Sequence, residues 1–453
     1  MKMITNKLYN EIQVGDSANV TRKLREGDVR ALASAFGDAW NLPQTAAGKG
    51  AIGAVSMMFS ALVESSIPGP GATIHEVKVS MVHPLPVGKD LLLRLDVRAK
   101  DDEHQRIIMD GSLVTADVEL IATATLIVEP PVERLECDIA PHRLEHLIER
   151  CKALKPVLTG VVHPCNVDSI KGALDAMHAL IIDPVFYGPE EEIRKVAHVA
   201  GMDISGIKIV STNNAEESAS AAVKAAASGE IAALMKGSLH TDIFLHAIVS
   251  RDSGLRTGRL LSHCSLLSVP TYARQIVLTD VALNIAPDIS QKRDICQNAI
   301  GFAKALGIEV PKVAILAAVE TVRPKMQASM DAALLAKMAD RGQIVGALVD
   351  GPLALDNAVD KEAARIKKIK SPVAGEADIL VVPNIEAGNM VYKNLVFMAD
   401  AQMAGLVVGA KVPVMLTSRA DTAEARLFSA AAAALYAHAL AEDPNNILPV
   451  VED

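Results

Sequence analysis

VPVMLTSRADTAEARLF, residues 412–428, is the stretch on which the fold and the chemistry of the chain turn. Residues 412–416 make a short apolar run with the composition of a buried strand, and residues 423–442 have the length and apolar content of a helix. Between them stand hydroxyls, a guanidinium and an acid: Thr417, Ser418, Arg419 and Asp421. They lie at a strand's carboxyl end and a helix's amino end, where open α/β sheets bind ligands and backbone N–H groups favour anions. The same residues also fit helix capping, because Ser418 precedes Asp421 by three positions and Asp421 precedes Glu424 by three. The chain around them weighs on that choice.

Upstream, short β-rich runs alternate with helical patterns: VLTGVVH, GIKIV, IAALMKG, QIVLTDVAL, VAILAAV, IVGALVDG, ILVVPN, GLVVGA and VPVML. Alternation of this kind predicts an α/β fold, a parallel sheet covered by helices. Roughly 310 residues and about nine such runs are expected to form two subdomains with a cleft between them, a common setting for a small-molecule site. The texture differs before residue 135. There, a helical segment at 51–66 is followed by PGPG and by strand candidates at 73–82, 90–98, 106–114 and 117–128, which predicts one helix against a curled antiparallel sheet. PPVERLECDIAPHRLEHLIER joins the two textures, so the expected division is a domain at 1–133, a linker at 134–144 and a second domain at 145–453.

Composition narrows the partners. Fifty-four acidic against 45 basic residues disfavour a phosphate-backbone binder, and 3% aromatics leave few surfaces for stacking bases, so no nucleic acid is expected. Cys137, Cys151, Cys165, Cys264 and Cys296 are odd in number and lack CxxC spacing, which points to a reducing compartment and no structural zinc. The amino-terminal residues lack a signal-peptide core, and apolar runs are interrupted before the roughly 20 residues a membrane span needs. A cytoplasmic protein with no membrane partner is expected.

Two familiar patterns carry little. Gly48, Gly50 and Gly53 match GxGxxG but follow NLPQTAA rather than a strand. His142, Glu145 and His146 spell HxxEH at the start of a surface-like helix without a third ligand, so no metal is expected. LMKGSLHTD and SRDSGLRTGRLLSH carry more. They bring Lys236, His240, Arg251, Arg256 and Arg259 close in sequence around Gly237, an arrangement suited to a phosphate group, although a solvated polar loop has the same composition. DGPLALDNAV and VVPNIEAGNMVYK place Asp356, Asn384, Gly388 and Asn389 after further strand candidates. These polar, glycine-bearing strand ends are expected to share one cleft.

At these residues the chain resembles the phosphate acetyltransferase and phosphate butyryltransferase family. VVHPCNVDSIKGAL, LMKGSLHTD, DSGLRTGRLLSH, LTDVALNIAPD, KVAILAAVETVRPKM, KMADRGQIVGALVDGPLALDNAV, SPVAGEADILVVPNIEAGNMVYK and VPVMLTSRAD carry the resemblance through nearly all of residues 145–440. It implies a two-subdomain α/β enzyme, similar in fold to isocitrate dehydrogenase, that exchanges coenzyme A and inorganic phosphate on a short acyl group. Acyl-CoA, acyl phosphate and phosphate are the implied partners; coenzyme A is a substrate, and no permanently bound cofactor or metal is implied. Ser418 and Arg419 match the family's charge-holding serine and arginine. Asp421 and Glu424 are the available acids for a base, Asp421 standing in the SRAD pattern shared with the butyryltransferase branch. Lys236, His240, Arg256, Arg259, Asp356 and Asn389 are the expected substrate-binding residues.

Residues 1–133 resemble a second family, the MaoC-like hot-dog hydratases, through YNEIQVGD, the AFGD string, SIPGPGATI and VHPLPVGKDLLL. The family's active string GDxNPxH reads GDAWNLPQ here: Asp38 is kept, Asn41 is displaced by one, and Gln44 stands where a histidine is expected. The resemblance therefore implies a degenerate acyl-thioester-binding or dimerising module, with His75 and His83 as ordinary strand or turn residues; the alternatives are enoyl-CoA hydratase chemistry in this domain or a non-catalytic acyl-CoA sensor. Because hot-dog domains pair, it also implies a homo-oligomer.

Overall fold

The computed structural model describes residues 2–23, 28, 52–139, 144–416 and 422–449. The chain divides into two compact units, Met1–Pro141 and His142–Asp453.

In the first unit, strands β2 (Ser17–Lys23), β3 (Thr73–Met81), β4 (Asp90–Asp101), β5 (Arg106–Thr115) and β6 (Leu120–Glu129) form an antiparallel sheet in the order β2-β4-β5-β6-β3. Alternating burial along β5, with Ile107, Met109, Gly111 and Leu113 inward, is the period-2 signature of a half-buried sheet. The helix Ile52–Ser65 lies against the inward face and presents Val55, Phe59, Leu62 and Val63 to it. Gly111 makes room for it: a Cβ there would lie 2.6 Å from the Phe59 ring. A helix held by a curled antiparallel sheet is the α+β arrangement expected of a hot-dog domain. Short strands β1 (Lys2–Thr5) and β7 (Glu136–Ile139) pair separately, and the Asn6 side chain beside them bonds Pro70 O, Glu133 O and Leu135 N. His75 bonds Glu129 at 2.7 Å and His83 the Leu120 carbonyl at 2.8 Å, so both serve the sheet.

The second unit is built on an 11-stranded sheet in the order β10-β9-β8-β11-β18-β17-β12-β13-β16-β14-β15. The strands are β8 (Val157–Val162), β9 (Ile182–Gly188), β10 (Lys208–Ser211), β11 (Ala233–Lys236), β12 (Ser262–Ser268), β13 (Gln275–Thr279), β14 (Lys312–Leu316), β15 (Leu348–Leu353), β16 (Ile379–Val381), β17 (Gln402–Val408) and β18 (Val414–Met415). It is not parallel throughout. β10, β9, β8, β11 and β18 form one parallel block and β13, β16, β14 and β15 another, while β17 and β12 run antiparallel to their neighbours. Three reversals separate the blocks, so their strands run in opposite directions. The two expected subdomains are these two blocks, on one continuous sheet.

The helix Ala423–Glu442 packs against β17 and buries every residue from Phe428 to Ala437. Alanine allows that close approach, and a helix apolar on every side belongs in a core. Ser429 Oγ donates to Ala425 O and accepts from Gly405 N, which ties the helix to β17. On the other block, Lys292 and Asp331 form a buried ion pair at 2.6 Å between the helices Ile289–Ala305 and Gln327–Asp340.

Candidate functional site

The two parallel blocks set two groups of strand ends. Residues after β8, β11 and β18 leave the sheet one way; those after β13, β15 and β16 leave it the other way. The expectation that all the polar, glycine-bearing strand ends share one cleft is therefore corrected, because the antiparallel β17 and β12 reverse the second block.

In the first group, β11 and β18 are hydrogen-bonded neighbours in register, Leu234 with Val414 and Met235 with Met415. The Lys236–Gly237–Ser238 string therefore leaves the sheet beside Leu416. Ser418, Arg419 and Asp421 lie outside the described residues, as do Asp38, Asn41 and Gln44. The helix that follows is capped by Thr422, whose Oγ1 accepts from Ala425 N at 3.1 Å, where the spacing alone offered Ser418 or Asp421. Glu424 stands in the first turn of that helix. His240 occupies the N-cap position of the helix Thr241–Val249 without a side-chain capping bond.

The neighbouring turn after β8 belongs to the same group. Gly237 is pressed so close to it that a Cβ would lie 2.3 Å from Val162 O and 2.6 Å from His163 O. His163 has a left-handed backbone, φ 55°, uncommon for a residue other than glycine. Its carbonyl accepts from Ser238 N at 2.9 Å and Ser238 Oγ at 2.8 Å, and its N–H donates to Tyr187 O at 2.7 Å. Its Nδ1 lies 3.1 Å from Ser218 Oγ, which lies 2.7 Å from Thr212 Oγ1 and donates to Asn214 O at 2.7 Å. Burial lowers the His163 pKa against the opposing pull of Glu192 and Glu216. Burial likewise pushes the Cys165 thiol up to about 12, helped by Glu192, so Cys165 stays protonated at neutral pH. VVHPCN alone gives His163 no role; the signal in the sequence is a histidine ending an apolar strand run.

The cations expected to cluster do not share one place. Lys236 stands at the carboxyl end of β11, whereas Arg256 is bridged to Ala410, on the amino-terminal side of β18. The helix Thr241–Val249, about 13 Å long at 1.5 Å per residue, separates His240 from the arginines that follow. Arg259 Nη2 donates to the Pro449 carbonyl, and burial lowers its pKa. One arm of its guanidinium thus serves the carboxyl-terminal segment, while Nη1 is buried without a hydrogen-bond partner among the described residues. Asp356 is paired with Lys367 at 3.2 Å, which also pairs with Glu320.

The second group centres on Asp280, a buried carboxylate that accepts from Ala282 N, Leu283 N and Asn284 Nδ2 at 2.9, 3.0 and 2.5 Å. Gly388 lies against it, a Cβ there falling 2.7 Å from Asp280 O, and Asn389 Nδ2 donates to Val281 O at 3.2 Å. Asn389 and Gly388 hold the helix Ile385–Met398 on the turn after β13. A groove of about 560 Å³ between the helices Ala215–Ser228 and Thr241–Val249 sets Glu216, Asp242 and Asp252 against Lys224 and His246. Its excess of acids is the wrong electrostatics for a polyphosphate ligand.

Comparison with known proteins bears on what this arrangement does. Residues 146–434 match the family model described as "Phosphate acetyl/butaryl transferase". A phosphate acetyltransferase from Rhizobium meliloti is 49% identical over 297 residues, covering 66% of this chain and 94% of that protein. A phosphate butyryltransferase from Clostridium acetobutylicum is 42% identical over 288 residues, 64% of this chain and 95% of that protein. The crystal structure of a branched-chain phosphotransacylase from Enterococcus faecalis V583 superposes with a TM-score of 0.56 at 32% identity, over 62% of this chain and 99% of that one. Among the described residues no helix is long and apolar enough to cross a membrane. With its two-block α/β sheet, its Lys236–Gly237 turn beside β18 and these relatives, the chain belongs to the phosphate acetyl/butyryl transferase family of enzymes.

Proposed function

We propose that the protein interconverts a short-chain acyl-CoA, acetyl-CoA first among them, and phosphate with the acyl phosphate and free coenzyme A, in the cytoplasm and as a homo-oligomer. The observation that carries this reading is the adjacency of β11 and β18: the MKGS string leaves the sheet beside Leu416, which TSRAD follows in sequence. Lys236 is a point charge for phosphate, and Ser418 and Arg419 are the residues assigned to the developing charge.

Both substrates bind together, and the coenzyme A thiolate attacks the acyl-phosphate carbonyl directly. A free thiol, with a pKa near ~8.5, is mostly protonated at neutral pH, so the reaction gains from a proton acceptor nearby. Asp421 and Glu424 are the acids the sequence offers there. Charge then grows on the carbonyl oxygen and the leaving phosphate, where each preorganised donor lowers the barrier by roughly 2 to 4 kcal/mol. The first unit we read as an acyl-thioester-binding module without hydratase chemistry, on the Gln44 that stands in the histidine's place.

Arg419→Ala tests the assignment. Turnover is expected to fall by roughly two to three orders of magnitude with an unchanged circular dichroism spectrum; near wild-type turnover would remove Arg419 from the mechanism.

A further inference from the structure

We propose that His163 is a catalytic residue of this acyl transfer: its Nε2 takes the proton from the coenzyme A thiol and passes it to the departing phosphate. The inference rests on the phosphate acyltransferase reading and deepens it by naming the group that moves the proton.

The hydrogen-bond chain behind the ring fixes its tautomer. A serine hydroxyl has one proton and two lone pairs. The Ser218 proton goes to the Asn214 carbonyl, the back-bond to residue i−4 that helical serines commonly make. Thr212 must then donate to Ser218, and so must His163 Nδ1–H, which uses both lone pairs. The lone pair of the imidazole is left on Nε2, which has no hydrogen-bond partner among the described residues. Ser218 is fully buried, so this support is shielded from water.

The backbone of His163 is also in the right place. Val162 pairs with Lys236 in register, so His163 and Gly237 are the next residues on adjacent strands, and β18 is the strand after that. The left-handed backbone of His163 is held by four hydrogen bonds to its own carbonyl and N–H: from Ser238 N, Ser238 Oγ and Cys165 N, and to Tyr187 O. A strained conformation fixed this firmly is the kind found where a side chain must point at a ligand.

The step balances. The thiol S–H bond breaks and its proton moves to Nε2, giving an imidazolium; the thiolate forms the S–C bond, and the C–O bond to phosphorus breaks. The imidazolium then returns its proton to the phosphate oxygen, so HPO₄²⁻ leaves and the neutral ring is regenerated. The charged groups that act on His163 are Glu192 on the helix Glu190–Val199 and Glu216 on the helix Ala215–Ser228; Lys236 pairs with Val162, one residue back, and the protonated Cys165 lies in the same turn. Burial outweighs the two glutamates and keeps the ring neutral at physiological pH, the state a proton acceptor needs. Asp421 and Glu424 are then left to balance charge.

The test is the pH profile of kcat, in the full chain, with acetyl phosphate and coenzyme A. His163→Asn keeps a donor for Ser218 and removes the Nε2 lone pair. Its kcat at pH 7 is expected to fall about 100-fold or more, with KM for acetyl phosphate within about threefold. It should then climb about tenfold per pH unit toward the thiol pKa, as solvent ionises the thiol. A His163→Asn enzyme within threefold of wild type, or a loss that does not change with pH, overturns the proposal. If the variant does not fold, the wild-type enzyme is treated with diethylpyrocarbonate: activity should fall in step with modification of His163 and be protected by coenzyme A. Full modification with activity retained overturns the proposal while leaving the acyltransferase reading intact. A wild-type enzyme with no phosphate-dependent activity overturns both.

Discussion

At residue scale, the chemistry depends on contacts between residues far apart in sequence. Gly237 lets β11 end flush against the turn after β8, so Gly237→Ala forces a Cβ to within 2.3 Å of Val162 O. That variant is expected to lose about 1 to 3 kcal/mol of stability and to lose kcat beyond what its folded fraction explains; chemical denaturation beside steady-state kinetics checks both. The glycine and lysine of this turn were legible in the MKGS string. His163 was not, because its meaning depends on Ser218, 55 residues later, and on a serine proton already given to Asn214. Arg259 is anchored by a contact just as distant: its Nη2 donates to Pro449, 190 residues away, which no local pattern reveals.

At element scale, period-2 alternation and apolar runs located most strands to within a few residues, including β3 to β6 and the helix between β2 and β3. β9 and β12 escaped because IDPVFYG carries an acid and a proline, and SHCSLLS reads as polar although every residue in it is buried. Strand direction was the larger omission. Only residues 409–413 join β17 to β18, and 269–274 join β12 to β13. A parallel crossover needs a dozen or more residues, so loop length alone carried the signal for the two antiparallel strands. The amino ends of the second block are stitched by the turn before β16: Glu376 bonds Lys312 at 2.7 Å and Lys361 at 2.6 Å, and Asp378 accepts from Lys312 N and Arg274. The two lysines hold the Glu376 pKa down to about 2 from 4.5. A carboxylate depressed in the folded state stabilises fully above its unfolded pKa and loses that contribution as pH falls toward the folded one. Glu376→Gln should therefore lower Tm at pH 7, with the gap to wild type closing between about pH 4.5 and 2; a gap constant across that range would show that the ion pairs contribute nothing.

At the scale of the molecule, the relatives named as phosphate acetyl- and butyryltransferases align with about two thirds of this chain yet cover nearly all of their own length. The acyltransferase chemistry should then reside in the second unit. A chain beginning at His142 is expected to fold and to keep kcat within a factor of about three, since a unit with its own core folds alone; an inactive but folded fragment would assign the first unit a part in the reaction. Two blocks running in opposite directions also mean that one end of the first block, not a cleft shared by every strand end, carries the proposed chemistry. That proposal has one direct test. Free coenzyme A is followed with a thiol reagent as the full chain is mixed with acetyl-, propionyl- or butyryl-CoA, with and without phosphate. Release that requires phosphate, fastest with acetyl-CoA, is the predicted result; no release from any of the three, or release indifferent to phosphate, would contradict it.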